Sequence, residues 1–305
     1  MFKRVVVGCD GTAQGRDAVV LGAAIASATG AGLSLVGVYP PAMFPVPPSF
    51  SSAALRTQTE SVLRQERDSL APDALVKAVA DFSVPRALRH FAARWHADVI
   101  VLGSTTAAID GHARIGRRGR QLLYDAPFAL ALASRGLHNR GIELHRIGVG
   151  YDGGPEAVAA LGLATELARG AHATLAVHTA VEDRIPVLGA RELLALKDWS
   201  HNHMWEDKRQ SAEADAAKAA SHQGVATEVS AVIGDPGHEL RALSQTVDVV
   251  VVGSRRWGPF ARLVTGSVGE TLVSDAACSV VIVPRPAEVA TAMIGPRIVE
   301  SATHE

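Results

Sequence analysis

Cysteine is almost absent from this 305-residue chain: Cys9 and Cys278 stand alone, one in each half. That scarcity excludes a disulfide framework and any paired metal-thiolate spacing, and it suits a reducing cytoplasm in which both thiols act as small buried hydrophobes. Net charge is lacking too. With 30 Lys plus Arg against 31 Asp plus Glu, the chain offers no basic field to nucleic acid. No apolar run is long enough to span a bilayer, so no membrane partner is expected. The opening MFKRVVVGCDG reaches Gly and Asp after three valines and lacks the apolar core of a signal peptide. What the chain has in quantity is apolar residues, 48% against 20% charged, the balance of a globular protein whose length suggests two compact units.

The two units read as copies. RVVVGCDGTAQGRDAVVLGAAIASATGAGLSLVGVY aligns with RIGVGYDGGPEAVAALGLATELARGAHATLAVHTA, placing Asp10 on Asp152. FSVPRALRHFAARWHADVIVLGS aligns with VIGDPGHELRALSQTVDVVVVGS, and each half closes on an apolar run, FALALAS and SVVIVP. A repeat of roughly 145 residues is a domain duplication rather than a solenoid period. Val/Ile/Leu runs separated by amphipathic segments indicate parallel strands buried on both faces. The expected fold is therefore α/β: two tandem five-stranded parallel open sheets with helices on both faces, over residues 1–135 and 144–285. Gly136 to Glu143, GLHNRGIE, reads as a polar linker; Arg191 to His222 reads as helical; residues 286–305 read as a loose tail.

In open parallel sheets, ligands bind beyond the carboxyl ends of the strands, where the winding reverses. After the fourth strand of the second half stands VVGSRRWGPFARLVTGSVGETLV. Gly253 ends the strand, a basic loop carries Arg255, Arg256 and Arg262, and Gly266, Ser267 and Val268 lead into a helix. Free amides at that helix start, with the Ser267 hydroxyl and a glycine without Cβ, make an anion cradle. Another glycine pattern, Gly148, Gly150 and Gly153, spells the dinucleotide fingerprint G-x-G-x-x-G, but the partner copy VVGCDG keeps only the aspartate and not the first glycine. The duplicated element is Asp-Gly. Asp152-Gly153-Gly154-Pro155 reads as a turn into a helix with proline at its start.

These features resemble the universal stress protein family in its two-domain form. The resemblance covers the chain to about Pro284. Nucleotide-binding members carry Gly, two residues, Gly, nine residues, Gly, then Ser or Thr, around the phosphates and ribose of ATP. Gly253, Gly266 and Ser267 match it, while Arg256 replaces the middle glycine. The resemblance implies a Rossmann-like, adenine nucleotide alpha hydrolase-like fold and ATP, optionally with Mg, as ligand. It further implies that Asp152 meets the adenine and that Thr179 walls the base. In the first half Asp10, Val38, Gly103 and Gly116 fit, but Thr106 replaces the middle glycine and Arg117 the hydroxyl, so a weaker site, or one for another anion held by Arg117, Arg118 and Arg120, is expected there.

No catalytic base stands out. His201 and His203 face different sides of a helix, and neither they nor His90, His96, His222 and His238 have ligand spacing, so no metal site and no enzyme is expected beyond slow ATP turnover. Two functions remain open: a nucleotide-dependent stress or signalling module, and a nucleotide-free interaction protein. In both, the last strands pair the halves, and a homodimer is a further expectation.

Overall fold

The structure is a computed structural model describing residues 2–41, 51–123, 127–182, 200–221, 224–254 and 268–284, of which 200–203 are described by their backbone. The first half runs β1 (Arg4–Gly8), α1 (Ala13–Thr29), β2 (Gly32–Tyr39), α2 (Ser52–Leu70), β3 (Leu75–Ala80), α3 (Val84–Arg94), β4 (Val99–Gly103), α4 (Arg117–Leu123), β5 (Ala129–Ala133) and a one-turn α5 (Leu137–Arg140). The second runs β6 (Arg146–Gly150), α6 (Pro155–Ala171), β7 (Thr174–Val181), α7 (Ser200–Ala220), β8 (Thr227–Ile233), α8 (Pro236–Leu243), β9 (Val249–Gly253), α9 (Val268–Asp275) and β10 (Ser279–Val283).

Each half contributes five parallel strands, and the order β3-β2-β1-β4-β5-β10-β9-β6-β7-β8 makes one sheet of ten. The halves meet at its centre, where β5 and β10 run antiparallel with Leu130 opposite Ile282, Ala131 opposite Val281 and Leu132 opposite Val280. Period-two alternation sorts the strand residues between two cores. Val5, Val7, Val99, Val101, Ala131, Val251 and Val281 face one layer, with α1, α2, α5, α6 and α7. Val6, Ile100, Leu130, Leu132, Val250, Val280 and Ile282 face the other, with α3, α4, α8 and α9.

Local chemistry starts and stops the helices. Ser83 and Asp235 accept amides of the first turns of α3 and α8, and Pro155 stands at the start of α6, where its missing N–H costs nothing. Gly30, left-handed at φ 66°, ends α1. Helices α1 and α6 pack across the two halves so closely that a Cβ on Gly170 would stand 1.6 Å from the Ala28 carbonyl oxygen.

The expected polar linker is tied down more firmly than its composition suggests. Gly136 turns with φ 78° into α5, and the buried Asp17 of α1 accepts the amides of Gly136 at 3.0 Å and His138 at 2.8 Å, with His138 Nδ1 a further 2.6 Å away. Cys9 and Cys278 are buried, and burial pushes their thiols up to about 11 and about 12, out of the nucleophilic range.

Candidate functional site

Winding reverses between the parallel neighbours β1 and β4, and beyond their carboxyl ends lies a cavity of about 650 Å³. Asp10, Val38, Gly103, Gly116 and Arg117, all of the first-half candidates, line it. Asp10 leaves β1 and turns back on itself: its Oδ1 accepts from the Thr12 amide at 3.1 Å and the Thr12 hydroxyl at 2.6 Å, and Thr12 in turn accepts from Gly15 N at 3.2 Å. The carboxylate is thus oriented by the cap of α1 and remains exposed at the cavity mouth.

The two glycines of the first-half loop have different causes. A Cβ on Gly103 would meet the Gln14 carbonyl oxygen at 1.9 Å, so this residue is a glycine because α1 crosses the strand end there. On Gly116 the nearest atom would be Thr105 Cβ at 3.7 Å, leaving the approach open. Only the second position has room for a ligand. Beside it Arg117 and Arg118 are exposed cavity residues, with no ion pair to another described residue.

The loop joining these glycines is held from both halves. Ser104 Oγ donates to the Ala133 carbonyl at 2.6 Å and accepts from Arg114 N at 3.0 Å. Ala113 N reaches Ala276 O at 2.7 Å and Ile115 N reaches Val273 O at 2.7 Å, a bridge from the first-half loop to the end of α9. His112 Nδ1 lies 2.8 Å from Asp275 Oδ1, Arg241 also binds that carboxylate, and Arg120 pairs with Glu270. Burial alone raises the Asp275 carboxyl, but the Arg241 and His112 hydrogen bonds outweigh it and leave it below the ordinary value.

In the second half, Tyr151 N donates to His178 O as Cys9 N donates to Val36 O, so Asp152 occupies the place of Asp10. Its Oδ1 accepts from Gly154 N at 2.8 Å. Gly253 repeats the packing of Gly103, with a Cβ there 2.5 Å from the Glu156 backbone. The register corrects one assignment. Gly8 pairs with Val36 and Gly150 with His178, so the counterpart of Val38 is Ala180, whereas Thr179 is buried on the opposite face, with Leu175 and Val177. Arg255, Arg256, Arg262, Gly266 and Ser267 lie outside the described residues; Val268 opens α9.

Gly148 and Gly150 are explained by packing as well. A Cβ on Gly148 would stand 3.0 Å from Leu243 Cδ2, and one on Gly150 2.7 Å from Leu240 Cδ1, so both glycines admit α8 to the sheet. Residues the sequence did not single out are Thr12, Phe82 and His178. His178 stands where the first half has Val36, its Nδ1 2.8 Å from Ser230 Oγ, and burial lowers its pKa against a small opposing pull from Glu239. Only its hydrogen-bonding chemistry, set against an apolar counterpart, could have flagged it. Among the described residues no group of three or more His, Cys, Asp or Glu is placed to hold a metal, and no helix is long and apolar enough to cross a membrane.

A family model described as the universal stress protein family matches residues 1–131 and again 143–284. No curated protein matches. Among solved structures, a universal stress protein from Archaeoglobus fulgidus DSM 4304 is 13% identical, with 93% of this chain and 97% of that one covered at a TM-score of 0.61. A functionally unknown protein from Pseudomonas aeruginosa PAO1 is 14% identical, with 95% of each chain covered at a TM-score of 0.65. A universal stress protein in complex with cAMP is 20% identical over 44% of this chain and 99% of that one, at a TM-score of 0.37.

Proposed function

The chain belongs to the universal stress protein family, and from that premise we propose that it is a stress-response or signalling module that binds ATP or a related adenine nucleotide, chiefly in its second half. We take 1–135 and 144–285 as its two units, 286–305 as a tail, and the cytoplasm as its location. The observation that carries nucleotide binding is the cavity at the reversal of winding in the first half, whose walls hold Asp10, Val38 and the open Gly116 together, and whose counterpart in the second half begins at Asp152.

The residues fit the ligand. A volume of about 650 Å³ lies within the ordinary range for small-molecule sites. Asp10 and Val38 stand on the side of β1 and β2, where a base would lie, and Gly116, Arg117 and Arg118 stand on the side of β4, where phosphate charge would be met. The second half adds what the first lacks in its sequence: Gly266 and Ser267 directly before the helix that opens at Val268, and Arg255 and Arg256 directly after Ser254. Asp152, Ala180 and Val268 complete that site, with Mg as an optional companion of the phosphates. No residue is assigned a catalytic role, so the nucleotide acts by favouring one conformation over another.

The β5–β10 pairing favours a second reading, in which the fold serves interaction and holds no nucleotide. Mass spectrometry of small molecules released from the purified chain separates the two. Recovery of an adenine nucleotide supports the first reading; a nucleotide-free chain that also shows no heat with ATP leaves the second.

A further inference from the structure

Beside the cavity stands an aromatic ring that the family motif does not include. Phe82 follows β3, lines the cavity and is 58% exposed. Its backbone is held from both sides. Asp81 N donates to Tyr39 O at 3.0 Å, and the Asp81 carboxylate accepts from Ser83 N at 2.8 Å and from Arg86 through contacts of 2.6 to 3.1 Å. The Arg86 hydrogen bonds, with that of the Ser83 amide, bring the Asp81 carboxyl down to about 2, so the clamp is ionised throughout the neutral range. An aromatic side chain on a turn fixed in this way has little backbone freedom to lose when a planar ligand settles on it.

The position of the turn gives the ring its role. Asp81 is tied to the end of β2, the strand that carries Val38 and leads into Pro40, and both of those residues share the cavity with Phe82. The ring is therefore tied to the end of β2, on the side of Val38. The corresponding turn of the second half, among the described residues, is built differently. Gly234 N donates to Val181 O as Asp81 N does to Tyr39 O, but the next residue is already Asp235, the cap of α8, so the turn is one residue shorter and carries no ring.

We propose that Phe82 is a stacking platform for a purine base, and that it makes the first cavity a site selected by the base. This rests on the adenine-nucleotide reading and deepens it. The first half has Arg117 where the second has Ser267, and an aromatic face in Phe82 beside its cavity. Stacking on an aromatic side chain does not depend on phosphate, so adenosine is expected to be bound in the first cavity, with ATP gaining only what Arg117 and Arg118 add.

The test uses the full-length chain carrying Gly266→Glu, which blocks the second crevice, and titrates it calorimetrically with adenosine and with ATP. Phe82→Ala and Phe82→Leu on that background are expected to weaken adenosine roughly tenfold or more, while Phe82→Trp retains it. Leucine keeps apolar bulk without a π face, so its loss separates stacking from simple burial. Equal adenosine affinity in all four chains, or no adenosine binding to the Gly266→Glu chain, overturns the proposal. The broader reading is judged separately, by ATP binding to the chain without Gly266→Glu: if that is present while adenosine is not bound by the blocked chain, only the role of Phe82 fails.

Discussion

The Ile115 amide donates to the Val273 carbonyl at 2.7 Å, so the loop that walls the cavity of one half ends on a helix of the other. That helix, α9, begins at Val268, directly after Gly266 and Ser267. The first-half loop thus holds one end of this eight-residue element, and a ligand bound at its first turn would act on the other. We expect ATP to raise the hydrogen-exchange protection of the Ala113 and Ile115 amides even in the Gly116→Glu chain. Unchanged exchange at both amides in a chain that demonstrably binds ATP would mean that α9 holds its far end regardless of ligand.

The two crevices should differ in affinity for ATP. Calorimetry is expected to give one tight ATP per chain, lost on Gly266→Glu and kept on Gly116→Glu. A neutral hydrogen bond of the Ser267 kind is worth about 0.5–1.5 kcal/mol, or roughly two- to tenfold in affinity. Two equal sites, or the reverse response to the substitutions, would show the ranking to be wrong.

Two glycines of the same loop should separate stability from binding. Gly103→Ala places a methyl 1.9 Å from the Gln14 carbonyl oxygen, and such overpacking typically costs about 1–3 kcal/mol, a loss thermal denaturation would read as a fall in Tm. Gly116→Ala, with its nearest neighbour 3.7 Å away, should leave the melting temperature nearly unchanged and act on ligand affinity alone. Equal melting temperatures for the two variants would contradict the packing explanation of Gly103.

Removing one half should uncover a sticky edge. A fragment from residue 144 onward would present β10, SVVIV, without β5, and is expected to self-associate in light scattering. A strictly monomeric fragment at high concentration would mean that this edge is covered in another way.

His178 gives the second half a titratable side chain where the first has Val36. Burial disfavours its charged form, so its folded pKa lies below the ordinary ~6.5. A depressed pKa contributes stability that is complete above that unfolded value and is lost as pH falls through the folded one. His178→Val, copying Val36, should flatten the decline of Tm on acidification below neutrality. A decline of the same slope in both chains would remove His178 from the explanation.

Much of this fold is visible in the sequence because parallel strands buried on both faces need near-continuous apolar runs, as VVVV at 249–252 and VIVL at 99–102 display. Asp10 and Asp152 were legible through their repetition. The placement of Thr179 was not, since a shift of one residue along a strand moves a side chain to the other face and only the pairing of Gly150 with His178 fixes the count. Gly103 and Gly253 were read as parts of a ligand loop, yet each is needed by a helix crossing the strand end, a contact between segments about ninety residues apart that no local pattern encodes. The pinned linker is similar. GLHNRGIE is polar by composition, and its order comes from Asp17, more than a hundred residues earlier.

Because β5 and β10 belong to one polypeptide, their partner is always present at the concentration set by the chain between them. Separate subunits would meet and part with dilution; these strands do not. The pairing of the halves is therefore insensitive to how much protein is made, and neither half has to remain able to pair with a copy of itself. Among the described residues β3 and β8 stand at the ends of the sheet, and each places a charged residue on its strand, Lys77 and Glu228. A charge on an outer strand discourages another chain from adding to it.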